Sequence, residues 1–231
     1  MELQLAFALA SIMAGVHFLV EEIESYTEGF KEEIISFGAG VSISYVFVQL
    51  LPEFHSIVSE SSEMIFAFPL IGFSSLHLIE KYLAKSDVSG IQLRKDYADL
   101  HYSFLFFYHT AIGYLIASLL EESAVSGILF YVPILIHVAV SSFSLNELHE
   151  SISKNLGLKI SISLAPVLGV MFFSSGLVSD RLFNPVFGSV IGMFFYVAVR
   201  DSIPEGKKGK PLEYLLGVLI YLGIILAANL M

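Results

Sequence analysis

Apolar and polar residues alternate along this chain by whole segments, not by single turns. Charge-free stretches fall at 3–20, 34–52, 64–79, 100–120, 123–146, 160–179, 182–199 and 214–231. All but the third reach 18 residues, and that one lengthens when Glu63 and Glu80 sit at the membrane surfaces. A hydrocarbon core about 30 Å thick is crossed by roughly 20 helical residues. Open strands cannot cross it, because their backbone groups would find no partners in lipid. The pattern therefore predicts an all-α integral membrane protein with eight transmembrane helices and both termini on one side. The chain reads as a single polytopic domain over 1–231: helices one to three at 3–84, a central hairpin of helices four and five at 99–150, and helices six to eight at 158–231.

The hairpin organises the rest. Its two apolar arms meet at a short polar turn, Glu121-Glu122-Ser123, and each arm carries one deep histidine, His109 and His137. At a helical rise of ~1.5 Å per residue, both imidazoles lie ~21 Å from the turn, at one depth. Titratable groups inside the bilayer are costly and mark functional sites by default.

Composition sharpens the class. Hydrophobic residues make up 55% and charged residues 15%, too little charge to solvate one face of every helix. There is no cysteine, so disulfides and thiolate ligands are excluded. A formal charge of −10 disfavours nucleic acid, and the lack of tryptophan leaves tyrosine and phenylalanine to form any interfacial belt. The N-terminus has no basic region, so the first segment is expected to be a retained helix. Lys31, Lys81, Lys85, Arg94, Lys95, Lys154, Lys159, Arg200, Lys207, Lys208 and Lys210 fall in connections on one side, against Arg181 alone on the other. The positive-inside rule then places both termini outside the cell membrane and the 80–99 loop in the cytoplasm. The six glutamates of the 21–33 loop count little in that rule.

A short repeat joins the two ends of the chain. Gly40, Gln49, Pro52 and Glu53 in span two recur at a constant offset as Gly192, Asp201, Pro204 and Glu205 in span seven. The two spans run in opposite directions, so the repeat is inverted, as in many transporter folds. It implies a three-plus-two-plus-three layout around the hairpin. Gly38, Gly40, Gly188 and Gly192 suit close helix contacts, and Pro69, Pro133 and Pro166 can kink their spans.

Among seven histidines, His109 and His137 are the leading metal-ligand candidates, with Gln49, Asp201, Ser141 and Ser142 as further donors. A second polar group marks a cytoplasmic exit: Asp99 and His101 on helix four, Asn146, His149 and Glu150 at the end of helix five. Glu53, His55 and Glu63 form an outer entrance that would gather cations. For the exit and the entrance, solvated helix ends are the blander account. His77 and Glu80, three apart, read as a structural pair, and His17 as a lone structural histidine.

These residues resemble a known family. The stretch from Phe37 to Glu53 is similar to the second helix of the ZIP family of divalent-metal transporters, Ile71–Leu83 to its third, and Phe194–Glu205 to its seventh. The resemblance implies uptake of zinc, iron or manganese towards the cytoplasm, by a homodimer, through a binuclear site on helices four and five. The metal would be substrate, zinc foremost, and the protein not an enzyme. The family's fourth helix usually reads His-Asn-x-x-Asp/Glu-Gly, where this chain has His109-Thr-Ala-Ile-Gly113-Tyr114. Its fifth usually reads His-Glu/Asn-x-Pro-His/Glu-Glu/Gly, where this chain has His137-Val-Ala-Val-Ser141-Ser142. Only the two histidines and Asp201 match. A permease with a reduced site is the leading expectation. A non-transporting or altered-substrate homologue, acting as sensor or partner subunit, comes second. An intramembrane metal hydrolase comes third, since it needs three ligands and an activated water.

Overall fold

The computed structural model describes residues 1–58, 63–86, 91–144, 155–177, 182–202 and 209–229. Among these the regular structure is entirely helical. The helices are α1 (Glu2–Thr27), α2 (Lys31–Tyr45), α3 (Leu51–Val58), α4 (Ala67–Ser86), α5 (Ile91–Glu122), α6 (Ala124–Ser144), α7 (Leu156–Ser175), α8 (Phe183–Ser202) and α9 (Pro211–Asn229). A π turn, Val46–Leu50, joins α2 to α3 as one interrupted rod.

Seven helices are long and apolar enough to cross a membrane, and the eighth apolar stretch, Ala124–Val140, is shorter within the described residues. Broad rows of exposed apolar side chains fit a lipid surround: Leu70, Ile71 and Leu78 on α4, Leu215, Leu219 and Leu226 on α9. This is a membrane-embedded, all-helical protein.

Two expected loops are mostly helix. α1 continues to Thr27, a single 3-10 turn covers Glu28–Phe30, and α2 starts at Lys31, so the acidic 21–33 segment is largely ordered helix. Likewise α4 runs to Ser86 and α5 starts at Ile91, leaving little of 80–99 as loop. Glutamate and lysine are good helix formers, and a charge run ends a membrane span without ending its helix. True stops need chain breakers or caps. Asn155 opens α7, its side-chain oxygen accepting from the N–H groups of Gly157 (3.1 Å) and Leu158 (3.3 Å). Gly176 closes α7 in the left-handed conformation, φ 63°, its N–H donating to Phe173 O at 3.2 Å. The hairpin turn shrinks to Ser123, whose hydroxyl accepts from Ser126 N–H at 3.4 Å and caps α6.

The helices pack as two groups. In one, α5 lies on α7 and α6, and α1 lies on all three. In the other, α2 packs on α9 and α8, and α4 on α8. Six glycines set the closest crossings, and every one lies inside a group. An added Cβ would strike a neighbouring backbone carbonyl at Gly40 (Tyr214 O) and Gly217 (Phe37 O), joining α2 to α9. The same holds at Gly72 (Ser189 O) and Gly192 (Pro69 O), joining α4 to α8, and at Gly113 (Pro166 O) and Gly169 (Thr110 O), joining α5 to α7. Such contacts let backbones approach where lipid supplies no hydrophobic drive for association. Lys210 also ties α9 to α2: its Nζ pairs with Glu33 at 2.8 Å and its N–H donates to Ser36 Oγ at 2.9 Å. Between the groups runs a seam of side chains, chiefly α2 on α6 and α4 on α5.

Candidate functional site

The polar groups of the interior gather at this seam and beside it. His109 on α5 and His137 on α6 are 6% and 5% exposed, deep inside an otherwise apolar core. Their two helices pack directly against each other. Backbone hydrogen bonding fixes one of the rings. The Leu105 carbonyl, an obligate acceptor, lies 2.8 Å from His109 Nδ1, so that nitrogen carries the proton and Nε2 keeps the lone pair. The His137 ring meets Phe194 of α8 edge-on, centroids 4.9 Å apart.

His17 corrects its expected isolation. Its ring stands at 90° to that of His109, centroids 4.9 Å apart, and its Nδ1 is 3.5 Å from Ser163 Oγ of α7. Imidazoles from α1 and α5 thus meet edge-on, although among the described residues no three His, Asp or Glu side chains converge closely enough to hold one metal ion.

The other expected donors divide. Gln49 sits in the π turn and donates through Nε2 to Glu53 Oε2 at 3.5 Å, which links a ligand candidate to an entrance candidate. His55 is exposed and packs on Phe66, ring centroids 6.0 Å apart. The side chains of Glu63, Ser141, Ser142 and Asp201 lie outside the described residues, as do Asn146, His149 and Glu150 altogether. Asp99 is exposed, its carbonyl accepting from Ser103 Oγ at 2.8 Å. His101, two turns above His109 on α5, is 1% exposed, and neither ring nitrogen has a hydrogen-bond partner among the described residues.

Glu80 also departs from expectation. Its partners are Arg200 Nη1 at 2.5 Å and Tyr196 Oη at 2.7 Å, both from α8, while His77 contacts the Tyr196 ring, centroids 5.6 Å apart. Arg200 and Glu80 thus tie α8 to α4 by an ion pair. None of this was visible in local spacing, because the partners are more than a hundred residues apart.

A second cluster lies towards the π turn. Tyr45 of α2 is fully buried against Phe130 of α6, Phe194 of α8 and Tyr221 of α9, ring centroids 6.3, 5.8 and 5.8 Å away. The hydroxyls of Tyr45, Tyr108, Tyr131 and Ser42 are buried with no hydrogen-bond partner among the described residues. Tyr221 donates its hydroxyl proton to Leu129 O at 3.1 Å.

Comparison with known proteins adds one relative. The uncharacterized protein MJ1036 of Methanocaldococcus jannaschii is 30% identical over 206 residues, covering 85% of this chain and 84% of the relative. The chain belongs to the MJ1036 family. No family model matches it. MJ1036 carries no described activity in its name, so membership fixes kinship and leaves the chemistry to the site.

Proposed function

We propose that this member of the MJ1036 family is a membrane permease for divalent cations, with a ZIP-like architecture and zinc as the favoured substrate. The observation that carries this reading is the pair His109 and His137, both buried on the two packed helices of the hairpin. Neutral imidazole suits the later first-row metals, and a ligating histidine characteristically donates its other ring N–H to a carbonyl or carboxylate. His109 already does so through Leu105, which leaves Nε2 as the donor atom. Asp201, Gln49, Ser141 and Ser142 would complete the ligand set as the ion arrives.

In this reading the eight spans form the three-plus-two-plus-three layout with its inverted repeat. The glycine crossings support it. Gly40 and Gly192 are equivalent in the repeat; Gly40 binds span two to span eight, and Gly192 binds span seven to span three. Inversion turns one of these pairs into the other. Both termini then lie outside, a sidedness that the lysine and arginine asymmetry supports; the ion enters near Glu53 and His55 and leaves past His101. The protein would work as a homodimer.

The test is uptake into liposomes of the purified protein, with a panel of divalent ions. Wild type is expected to take up Zn in preference to Mg or Ca, and the His109→Ala/His137→Ala variant to lose at least tenfold of that rate. Equal uptake by the variant removes the site from the pathway.

One observation favours a second reading, an altered-substrate homologue. Among the described residues no three His, Asp or Glu side chains converge closely enough to hold one metal ion. Purified protein free of bound metal and inert towards every divalent ion in the panel supports that alternative.

A further inference from the structure

Of the buried orphan hydroxyls, only that of Tyr108 adjoins the histidine site, its ring edge-on to His109 with centroids 5.3 Å apart. We propose that Tyr45, Tyr108, Tyr221 and Ser42, with the Glu53 carboxylate just beyond the π turn, form a binding site for a small monovalent cation of the sodium type. Three independent features lead there.

The first is the orphaned hydroxyls. Tyr45 is 0%, Ser42 1% and Tyr108 4% exposed, and none of the three hydroxyls has a partner among the described residues. Buried polar atoms in native structures are almost always satisfied, and an unsatisfied one implies an ion, a water or a function. Ser42 and Tyr45 are three apart on α2 and share a face. Tyr108 comes from α5 and shares the buried core with Tyr45 and Tyr221.

The second is the state of Tyr221. Its hydroxyl proton is committed to Leu129 O at 3.1 Å. The oxygen lone pairs therefore remain as acceptors, which is what a cation needs.

The third is the backbone. The π turn Val46–Leu50 interrupts the helix directly after Tyr45, between the hydroxyls and Glu53. Interrupted helices at repeat interfaces are where coupling ions bind in carriers, because carbonyls released from the helix ladder add to the side-chain oxygens.

Ligand chemistry selects the ion. All the donors are oxygen, so a hard cation is preferred over a soft one. They are neutral apart from a single carboxylate, which matches one positive charge and leaves a divalent ion's desolvation uncompensated. The site also draws on α2 and α9 from one helix group and α5 from the other, so occupancy would bridge the seam.

The proposal stands apart from divalent-cation transport, and its test uses none. The full chain in detergent micelles is unfolded thermally in NaCl, KCl and choline chloride at equal ionic strength. Sodium is expected to raise the Tm over choline by about 5 °C at saturation. Tyr45→Phe/Tyr108→Phe, which keeps both rings and removes only the hydroxyls, is expected to abolish the shift, while Tyr102→Phe keeps it. If the double variant fails to fold, equilibrium dialysis of wild type against radioactive sodium decides the matter, with one bound ion per chain expected. A Tm indifferent to the cation, a shift retained by the double variant, or no bound sodium overturns the site and leaves water as the occupant of these hydroxyls.

Discussion

Arg200 and Glu80 show how a single pair decides local stability. Their side chains are 20% and 14% exposed, and Tyr196 supplies a second hydrogen bond to the carboxylate. Removing one partner leaves a charge in a low-dielectric setting, which costs more than the pair itself contributes. Glu80→Gln is therefore expected to destabilise the protein by roughly 3 kcal/mol, and Glu80→Leu/Arg200→Leu by less than either single change to leucine. Thermal unfolding of the four variants checks this; strict additivity would show that the pair is a solvated surface contact. At this scale the sequence was half legible. His109 and His137 stood out because each is a histidine deep inside a long charge-free run. The Arg200 partnership and the His17–His109 contact did not, since each joins helices remote in the chain. Tyr45 was missed for another reason: tyrosine in a membrane span reads as an interfacial ring, and only burial exposes the fate of its hydroxyl.

Among the elements, the helix pairs rest on glycine. A methyl group at Gly40, Gly192 or Gly113 meets a carbonyl of the next helix, and neither backbone can yield without moving the whole rod. Gly192→Ala is expected to cost about 1–3 kcal/mol, in the range of an overpacked core. Gly223→Ala is the matched control, because nothing lies within 4 Å of its added carbon. It should leave the Tm unchanged or raise it, since alanine is the better helix former. A loss at position 223 equal to that at 192 would mean that the crossings have room for a methyl group after all. The spans themselves were legible, because absence of charge over about 18 residues has few other meanings. Their ends were not. Charge marks where lipid stops, whereas caps such as Asn155 and Gly176 mark where the helix stops.

For the molecule as a whole, sidedness is the property most open to a direct check. The chain has no cysteine, so introduced ones label cleanly. Cysteine at Ser86 or Gly209 is expected to react only from the cytoplasm, and cysteine at Ser56 or Ser123 only from outside. Labelling of positions 209 and 123 from one side would break the eight-span arrangement proposed above. The glycine crossings also carry a consequence for biosynthesis. About 180 residues separate Gly40 from Gly217, and about 120 separate Gly72 from Gly192. At roughly 5–20 residues per second, a ribosome needs about 10–35 s to deliver the partner that α2 requires. Until then its small-residue face must wait in the translocation machinery or in lipid. A nascent chain cut short before its last helix would leave α2 unmatched, and cellular quality control would meet this protein chiefly as that orphan.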